Sequence, residues 1–371
     1  MFLEGADPAG PAPFFCSNHA IIKHMATYAI SDIHGAYEEF QRLLDKIRFQ
    51  YDGSDSLYLL GDYGDWGAQS METILEVKRM DEEYDFVHCL MGNHELMFLS
   101  AIQYGIEEDG NLTDSARNWL ENNRGWVTWN AFEALSQGDQ QELYEWLKQL
   151  PFSCDIHVDG RCFMAAHAYP FFEDMEYTAA QRQRHKMDAV WRRLMLRENP
   201  FAAYTGAKNY CQLICGHTIT DYYYGELERQ DGRLTGRQML ETLLPAHNRI
   251  YRSDKFIDID CGSKCFDWTE EENRASHAAD RAQLAAYCLE TGEEFYVARP
   301  RGPVGEMMLG ESAPSLEPPG MEPPKRETPG RLPPELPHPE FRVPEHGILA
   351  AGRIADWAQR RILEHSGEEE L

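Results

Sequence analysis

Three short apolar runs each end in a knot of metal-seeking or acid/base side chains. Tyr28-Ala29-Ile30 leads into Ser31-Asp32-Ile33-His34-Gly35, and Leu57-Tyr58-Leu59-Leu60 into Gly61-Asp62-Tyr63-Gly64-Asp65. Phe86-Val87-His88-Cys89-Leu90-Met91 leads into Gly92-Asn93-His94-Glu95. Behind each knot, apolar residues fall at helical spacing: Tyr37, Phe40, Leu43, Leu44 and Ile47; Met71, Ile74, Leu75 and Val77; Leu96, Met97, Leu99 and Ile102. Strand–helix alternation of this kind favours an α/β core with parallel pairing, whose ligands bind outside the carboxyl ends of the strands. The three knots are therefore expected to converge on one site.

From about residue 111 to 150 the alternation stops. Trp119, Leu120, Trp126, Trp129, Phe132, Leu135, Leu143, Trp146 and Leu147 supply the apolar faces of an all-helical stretch. We read it as a helical insertion or cap, which either packs or helps to select a substrate. A hairpin follows, Cys154–Val158 and Cys162–Ala166 around the turn signal Asp159-Gly160. His167 stands at the end of its return strand. Gln212-Leu213-Ile214-Cys215 is a strand ending in Gly216-His217-Thr218, Lys255 to Ile259 is another, and a hairpin from Gln283 to Val297 closes the core.

These signals bound a catalytic domain at 25–298. Thirteen of the twenty prolines lie between Pro300 and Pro344. That density opposes a packed core and predicts a Pro-rich linker over 299–346. Ile348, Ala351, Ala355, Ala358 and Ile362 then share the face of a short C-terminal helix within 347–371, which docks in cis or on a protein partner. Residues 1–24 read as a disordered extension, and Met25, directly before the first strand, is a candidate true start.

A net charge of −27 excludes a broad nucleic-acid-binding surface, which needs clustered Lys and Arg. A local basic patch remains around Arg182, Arg184, Lys186, Arg192 and Arg193. No apolar run is long enough to span a bilayer, and residues 1–24 lack the basic and apolar regions of a secretory signal. The nine cysteines are odd in number and scattered, which suits reduced thiols and a cytoplasmic location. Cys211/Cys215 and Cys261/Cys265 could hold zinc, but without a C-x₂-C pair ordinary buried thiols are the plainer reading.

The knots carry the ligands of a dinuclear metal site. A turn after the first strand lets Asp32 and His34 reach one ion, and Asp62 is the natural bridging carboxylate. Asn93 offers a neutral oxygen, while His167 and His217 offer imidazole nitrogens. This mixture suits Mn, Fe or Zn better than Ca. Two such ions, roughly 3.5–4 Å apart, can clamp both oxygens of an in-line displacement. Taken singly, an Asp at a strand end is usually a cap, and a lone His such as His88 or His157 is usually core. Neither explanation accounts for the whole set at successive strand ends.

The series from Asp32-Ile33-His34-Gly35 to Gly216-His217, with Ile257-Asp258-Ile259-Asp260-Cys261-Gly262 and the closing Cys288–Val297, resembles the phosphoprotein phosphatase branch of the calcineurin-like metallophosphoesterases. It is most similar to the bacterial and phage-type serine/threonine phosphatases, over about residues 26–298. The resemblance implies a β-sandwich flanked by helices. It implies one ion on Asp32, His34 and Asp62, and the other on Asp62, Asn93, His167 and His217. A metal-bridging hydroxide would attack phosphorus directly, and His94, oriented by Asp65, would act as general acid. Two divalent cations, manganese foremost, are the expected cofactors.

One departure stands out. Such phosphatases carry an Arg after the second Asp of the middle motif, and here that position is Trp66. Tryptophan cannot make the bidentate contact of Arg with phosphate. Arg193 lies where similar phosphatases carry a second phosphate-gripping Arg, and is preferred over Arg192. Trp66 either stacks on an aromatic ring of the substrate or packs on the cap. The leading expectation is a serine/threonine protein phosphatase acting on a phosphorylated protein or small phosphoester. The alternatives are a dinucleoside polyphosphate hydrolase and a non-catalytic binding module that kept the fold.

Overall fold

The computed structural model describes residues 25–105, 111–230, 247–274 and 277–299. The expected N-terminal extension and C-terminal helix, and the Pro-rich linker beyond Arg299, lie outside the described residues.

The chain builds two five-stranded sheets. The first is assembled from β1 (Thr27–Ile30), β2 (Ser56–Leu59) and β3 (Val87–Cys89), with the last hairpin, β9 (Leu284–Cys288) and β10 (Glu294–Val297), added in the order β10-β9-β1-β2-β3. The other contains β4 (Ser153–Val158), β5 (Arg161–Ala166), β6 (Tyr210–Cys215), β7 (Tyr251–Arg252) and β8 (Phe256–Asp258), in the order β4-β5-β6-β8-β7. The expected parallel pairing holds for β1-β2-β3 and for β5-β6-β8. The remaining pairs are antiparallel, because short hairpins rather than crossover helices supply those strands. Both sheets are thus mixed.

Alternation along the strands separates three apolar layers. Ala29 of β1, Phe163 and Ala165 of β5, Ile214 of β6 and Ile257 of β8 pack between the sheets. Tyr28 and Ile30, one residue either side of Ala29, face the helices instead. Met164, Leu213 and Phe256 face the far side of the second sheet. A one-residue slip of register would exchange these faces.

Helices α1 (Tyr37–Ile47), α2 (Ser70–Glu83) and α3 (Asn93–Tyr104) follow β1, β2 and β3 in turn. On α1 the apolar stripe Phe40, Leu43, Leu44 and Ile47 is buried. The all-helical stretch resolves into α4 (Asp114–Asn122), α5 (Gly125–Glu133) and α6 (Gln137–Gln149). Trp119, Leu120, Trp129, Phe132, Leu143 and Trp146 are buried in the same cluster as the faces of α2 and α3. Trp119 stacks on Phe98 of α3 with centroids 5.3 Å apart. A Trp buries roughly 150–250 Å², worth about 4–6 kcal/mol at 25 cal/mol per Å². Core packing therefore contributes to holding α4 and α5 against the first sheet's helices. Two further helices, α7 (Ala179–Trp191) and α8 (Asp221–Gln230), follow β5 and β6; Val190 of α7 joins the helix-side cluster of the first sheet and Tyr223 of α8 the far side of the second. Among the described residues no helix is long and apolar enough to cross a membrane.

Candidate metal centre

Five strands deliver the site residues just beyond their carboxyl ends. Asp32 and His34 follow β1, Asp62 and Asp65 follow β2, Asn93 and His94 follow β3, His167 follows β5, and His217 follows β6. Pairing continues past the strands. The N–H of Asp32 donates to the Gly61 carbonyl at 3.1 Å, that of His34 to Asp62 at 2.9 Å, and that of Gly216 to His167 at 2.8 Å. These bonds lock the first two knots to each other and the two histidine loops of the second sheet together.

The backbone is bent at the candidate ligands. Asp32, His34, Asp62, Asp65 and His217 all have positive φ, from 50° to 76°. Non-glycine residues rarely adopt this region, and such strain gathers at functional sites. Two glycines permit the close approach. A Cβ on Gly92 would sit 2.3 Å from Asp62 Oδ1, and one on Gly216 would sit 2.1 Å from Asp32 Oδ2.

Asp62 lies at the middle of the centre. Its carboxylate falls within 4.8 Å of ligand atoms in two groups, one with His34 and His94, the other with His167 and His217. Its Oδ2 is 3.6 Å from His34 Nε2, and its Oδ1 is 3.4 Å from His167 Nε2. Asp32 Oδ1 lies 3.8 Å from His34 Nε2, and Asn93 Oδ1 lies 2.9 Å from His167 Nε2. The other five expected ligands thus gather around Asp62, although the triplet found within 4.8 Å on the first side contains His94 rather than Asp32.

The imidazoles are oriented from behind. His34 Nδ1 is 3.1 Å from the Gly64 carbonyl, and His167 Nδ1 is 2.9 Å from that of Leu60. Each Nδ1–H donates to its carbonyl, which leaves Nε2 as a lone-pair donor. His217 is reversed: Nε2 is 3.2 Å from the Trp191 carbonyl, leaving Nδ1 as the acceptor. Burial lowers the pKa of all three below that of a free imidazole, so they are neutral and competent as ligands at neutral pH. Burial, then the carboxylates of Asp32 and Glu95, push Asp62 well above the usual carboxylate range. Burial, then Asp32, push Asp260 up to about 8. This crowd of buried acids beside aimed imidazole lone pairs is a donor set that fits two divalent cations.

His94 Nδ1 lies 2.5 Å from Asp65 Oδ2, and its Nε2 lies 3.8 Å from Asp62 Oδ2. Asp65 is held by residues that the sequence reading did not single out for the site. The indole N–H of Trp119 donates to its Oδ2 at 2.6 Å, and the Thr128 hydroxyl donates to its Oδ1 at 2.5 Å. Helices α4 and α5 therefore reach the site through Asp65. Burial disfavours charge on both partners, raising Asp65 to about 7 and lowering His94 to about 3.

Glu95 was named in the third knot but given no role. Its carboxylate accepts from the backbone N–H of Asp62 at 2.7 Å, of Tyr63 at 2.8 Å and of Gly92 at 3.1 Å. It staples the middle loop to the start of α3. The Gly92-x-x-Glu95 spacing at a helix start is the signal that could have found it. Glu95→Gln puts an amide NH₂ against N–H donors. It should cost about 2 kcal/mol for the lost acceptor, read as a fall in the denaturant midpoint without a change in m-value.

Trp66 does not pack as an isolated apolar group. The Arg124 guanidinium lies 5.1 Å from its ring centroid and the Lys264 ammonium 5.9 Å. Arg193 Nη1 is 3.5 Å from the His217 carbonyl. Arg192 is engaged elsewhere, pairing with Glu198 at 2.7 Å and covering the Tyr169 ring. His88 lies against Tyr58, centroids 4.6 Å apart, away from the knots. Cys211, Cys215, Cys261 and Cys265 are free thiols, and no candidate metal group among the described residues includes a cysteine. A cavity of about 580 Å³ between α2, α6 and β3 is lined by none of the site residues.

The chain matches the calcineurin-like phosphoesterase family over residues 25–245. It belongs to that family. It is a metal-dependent phosphoesterase, and its two mixed sheets flanked by helices are the family's architecture. Its relatives include the symmetrical bis(5'-nucleosyl)-tetraphosphatase of Actinobacillus succinogenes, 31% identical over 242 residues, covering 64% of this chain and 71% of that protein. The enzymes of that name from Pasteurella multocida and Buchnera aphidicola are 30% and 36% identical, over 45% and 39% of this chain and 52% and 44% of theirs. Among solved structures, one assigned as a diadenosine tetraphosphatase has a TM-score of 0.41 at 16% identity, covering 75% of this chain and 96% of its own. A Saccharomyces cerevisiae protein serine/threonine phosphatase has a TM-score of 0.42 at 11% identity, covering 76% and 82%. The curated relatives named above are tetraphosphatases rather than protein phosphatases.

Proposed function

We propose that this chain hydrolyses the phosphoanhydride bond of dinucleoside polyphosphates. The observation that carries the reaction class is the placement of Asp62 between two groups of buried ligands. The likeness to symmetrical tetraphosphatases supports the choice of substrate.

Asp32, His34 and Asp62 would hold one cation, and Asp62, Asn93, His167 and His217 the other; manganese suits this donor set. When bound, the cations supply Lewis acidity that makes water nucleophilic at neutral pH and neutralises phosphate charge. The protein's own groups do the rest. A water oxygen, its proton released to solvent, forms the new bond to phosphorus as the anhydride P–O bond breaks, and the departing phosphate oxygen takes the electron pair. His94 holds a proton at Nε2 for that oxygen, and Asp65 stabilises the imidazolium from Nδ1. The incoming anion favours this protonated state, against the burial that disfavours it in the free protein. Arg193 steers the phosphate from the His217 side.

The test is turnover of diadenosine tetraphosphate and of a phosphoserine peptide, side by side, by the manganese-loaded full chain. The expected result is a higher kcat/KM for the tetraphosphate, with adenosine diphosphate as the sole nucleotide product of symmetrical cleavage. Faster turnover of the peptide, or no turnover of the tetraphosphate, overturns the substrate assignment.

A further inference from the structure

The short turn Ser263–Cys265 sits against the first ligand loop, and its middle residue is Lys264. The Ser263 hydroxyl donates to the backbone carbonyl of Asp32, which pins the turn to a residue of the centre. Lys264 is half-buried, and its ammonium lies 5.9 Å from the Trp66 ring centroid. Trp66 in turn follows Asp65 directly, so the turn is pinned at Asp32 while the ammonium lies over a ring that adjoins the centre.

Other cations near this face are already neutralised. Arg124 pairs with Glu272, Arg192 with Glu198 and Arg281 with Asp221. Lys264 has no carboxylate within ion-pair distance among the described residues. Its charge is felt at His34, His94 and His217, while that of Arg193 is felt at His167 and His217. Two unpaired cations thus flank the Asp62 centre from different loops. An amine over an indole face, reaching Asp221 and Asp260 only at longer range than an ion pair, is placed to bind the phosphate of an anionic substrate that the buried carboxylates would otherwise repel.

We propose that Lys264 is a phosphate-binding residue of this site, held in place by the Trp66 ring. It supplies the cation that Trp66 cannot, from a loop some two hundred residues further along the chain. The inference rests on the phosphoanhydride-hydrolase reading for the identity of the substrate, since a polyphosphate brings more negative charge to this face than a single ester does. Trp66 then serves as a platform for Lys264 and Arg124, and base stacking is not required of it.

The probe is inorganic phosphate, titrated calorimetrically into manganese-loaded full-length protein, with bound metal quantified in each sample. Lys264→Met should weaken phosphate binding about tenfold or more while two metals stay bound, and Lys264→Arg should stay near the parent. Adding Trp66→Arg to Lys264→Met should recover most of the lost affinity, since the cation is restored from the neighbouring position. Unchanged phosphate affinity in Lys264→Met overturns the inference. Loss of metal in that variant overturns it too, because Lys264 would then support the ligand loop instead. Phosphate binding needs no turnover, so a chain that fails to cleave the tetraphosphate still gives a clear answer here.

Discussion

Replacing Asp62 with Asn should abolish turnover and, in the metal-free protein, raise thermal stability. The two effects share one cause. Asp62 is the carboxylate common to both ligand groups, with one oxygen towards His34 and the other towards His167. An amide keeps an oxygen that can still accept the 3.0 Å bond from the His94 N–H, so the loop is retained. It lacks the charge to hold two cations. Loss of metal-derived stabilisation of several kcal/mol corresponds to a fall in kcat of about a thousandfold or more. Metal analysis should show fewer than two ions per chain. In the metal-free protein the same carboxylate is a burden, because burial and the charges of Asp32 and Glu95 disfavour its ionisation. A folded-state pKa raised above the unfolded one means that stability falls as pH rises from the ordinary carboxylate range towards the folded value. The melting temperature of the metal-free variant should therefore exceed that of the parent at neutral pH, and the gap should close at acid pH. A metal-free variant less stable than its parent at neutral pH would contradict this account of the centre.

The candidate ligands stood out because each lies just beyond a strand, where a turn must follow and polar side chains can crowd. The structure brings Asp32, Asp62, Asn93, His167 and His217 together at strand ends that local periodicity marked. The strands and helices that carry them were legible for the same reason. The supports of the site were not. Trp119 and Thr128 lie 54 and 63 residues from Asp65, inside a stretch whose pattern is that of ordinary core packing. Their polar atoms meet Asp65 only because α4 and α5 pack on α2 and α3. The left-handed backbone at Asp32, His34, Asp62, Asp65 and His217 was also hidden, since Asp and His, though enriched at positive φ, adopt it in only a minority of cases. Parallel pairing was expected where strands alternate with helices, and the hairpins at 154–166 and 283–297 were expected too, but their place in each sheet order depends on long-range pairing. Substrate choice was the least legible, because the ligand motifs encode a metal centre and say little about the leaving group. Trp66 was visible as an anomaly, but the cations that surround it come from Arg124 and Lys264, far away in the chain.

Replacing His94 with Asn should lower activity by an amount set by the leaving group. A proton donor matters most when the departing oxygen is strongly basic. The oxygen released from a phosphoanhydride belongs to a phosphate whose second pKa is near 6, so it leaves with little help. An alkoxide released from a serine ester is far more basic. General acid catalysis is worth about a hundredfold to ten-thousandfold, and the variant should lose that much on alkyl phosphates but only about tenfold on anhydrides and activated aryl phosphates. The measurement is kcat/KM across substrates of graded leaving-group pKa, for parent and variant, with bound metal quantified in each. A steeper dependence on leaving-group pKa in the variant, at unchanged metal content, identifies His94 Nε2 as the proton donor. The geometry allows one competing role, because His94 also falls within reach of His34 and Asp62. A ligand in that position would respond differently: its loss would lower metal content and depress all substrates alike. The 2.5 Å contact between Nδ1 and Asp65 favours the first outcome, since that carboxylate stabilises the imidazolium only if the ring carries a second proton at Nε2.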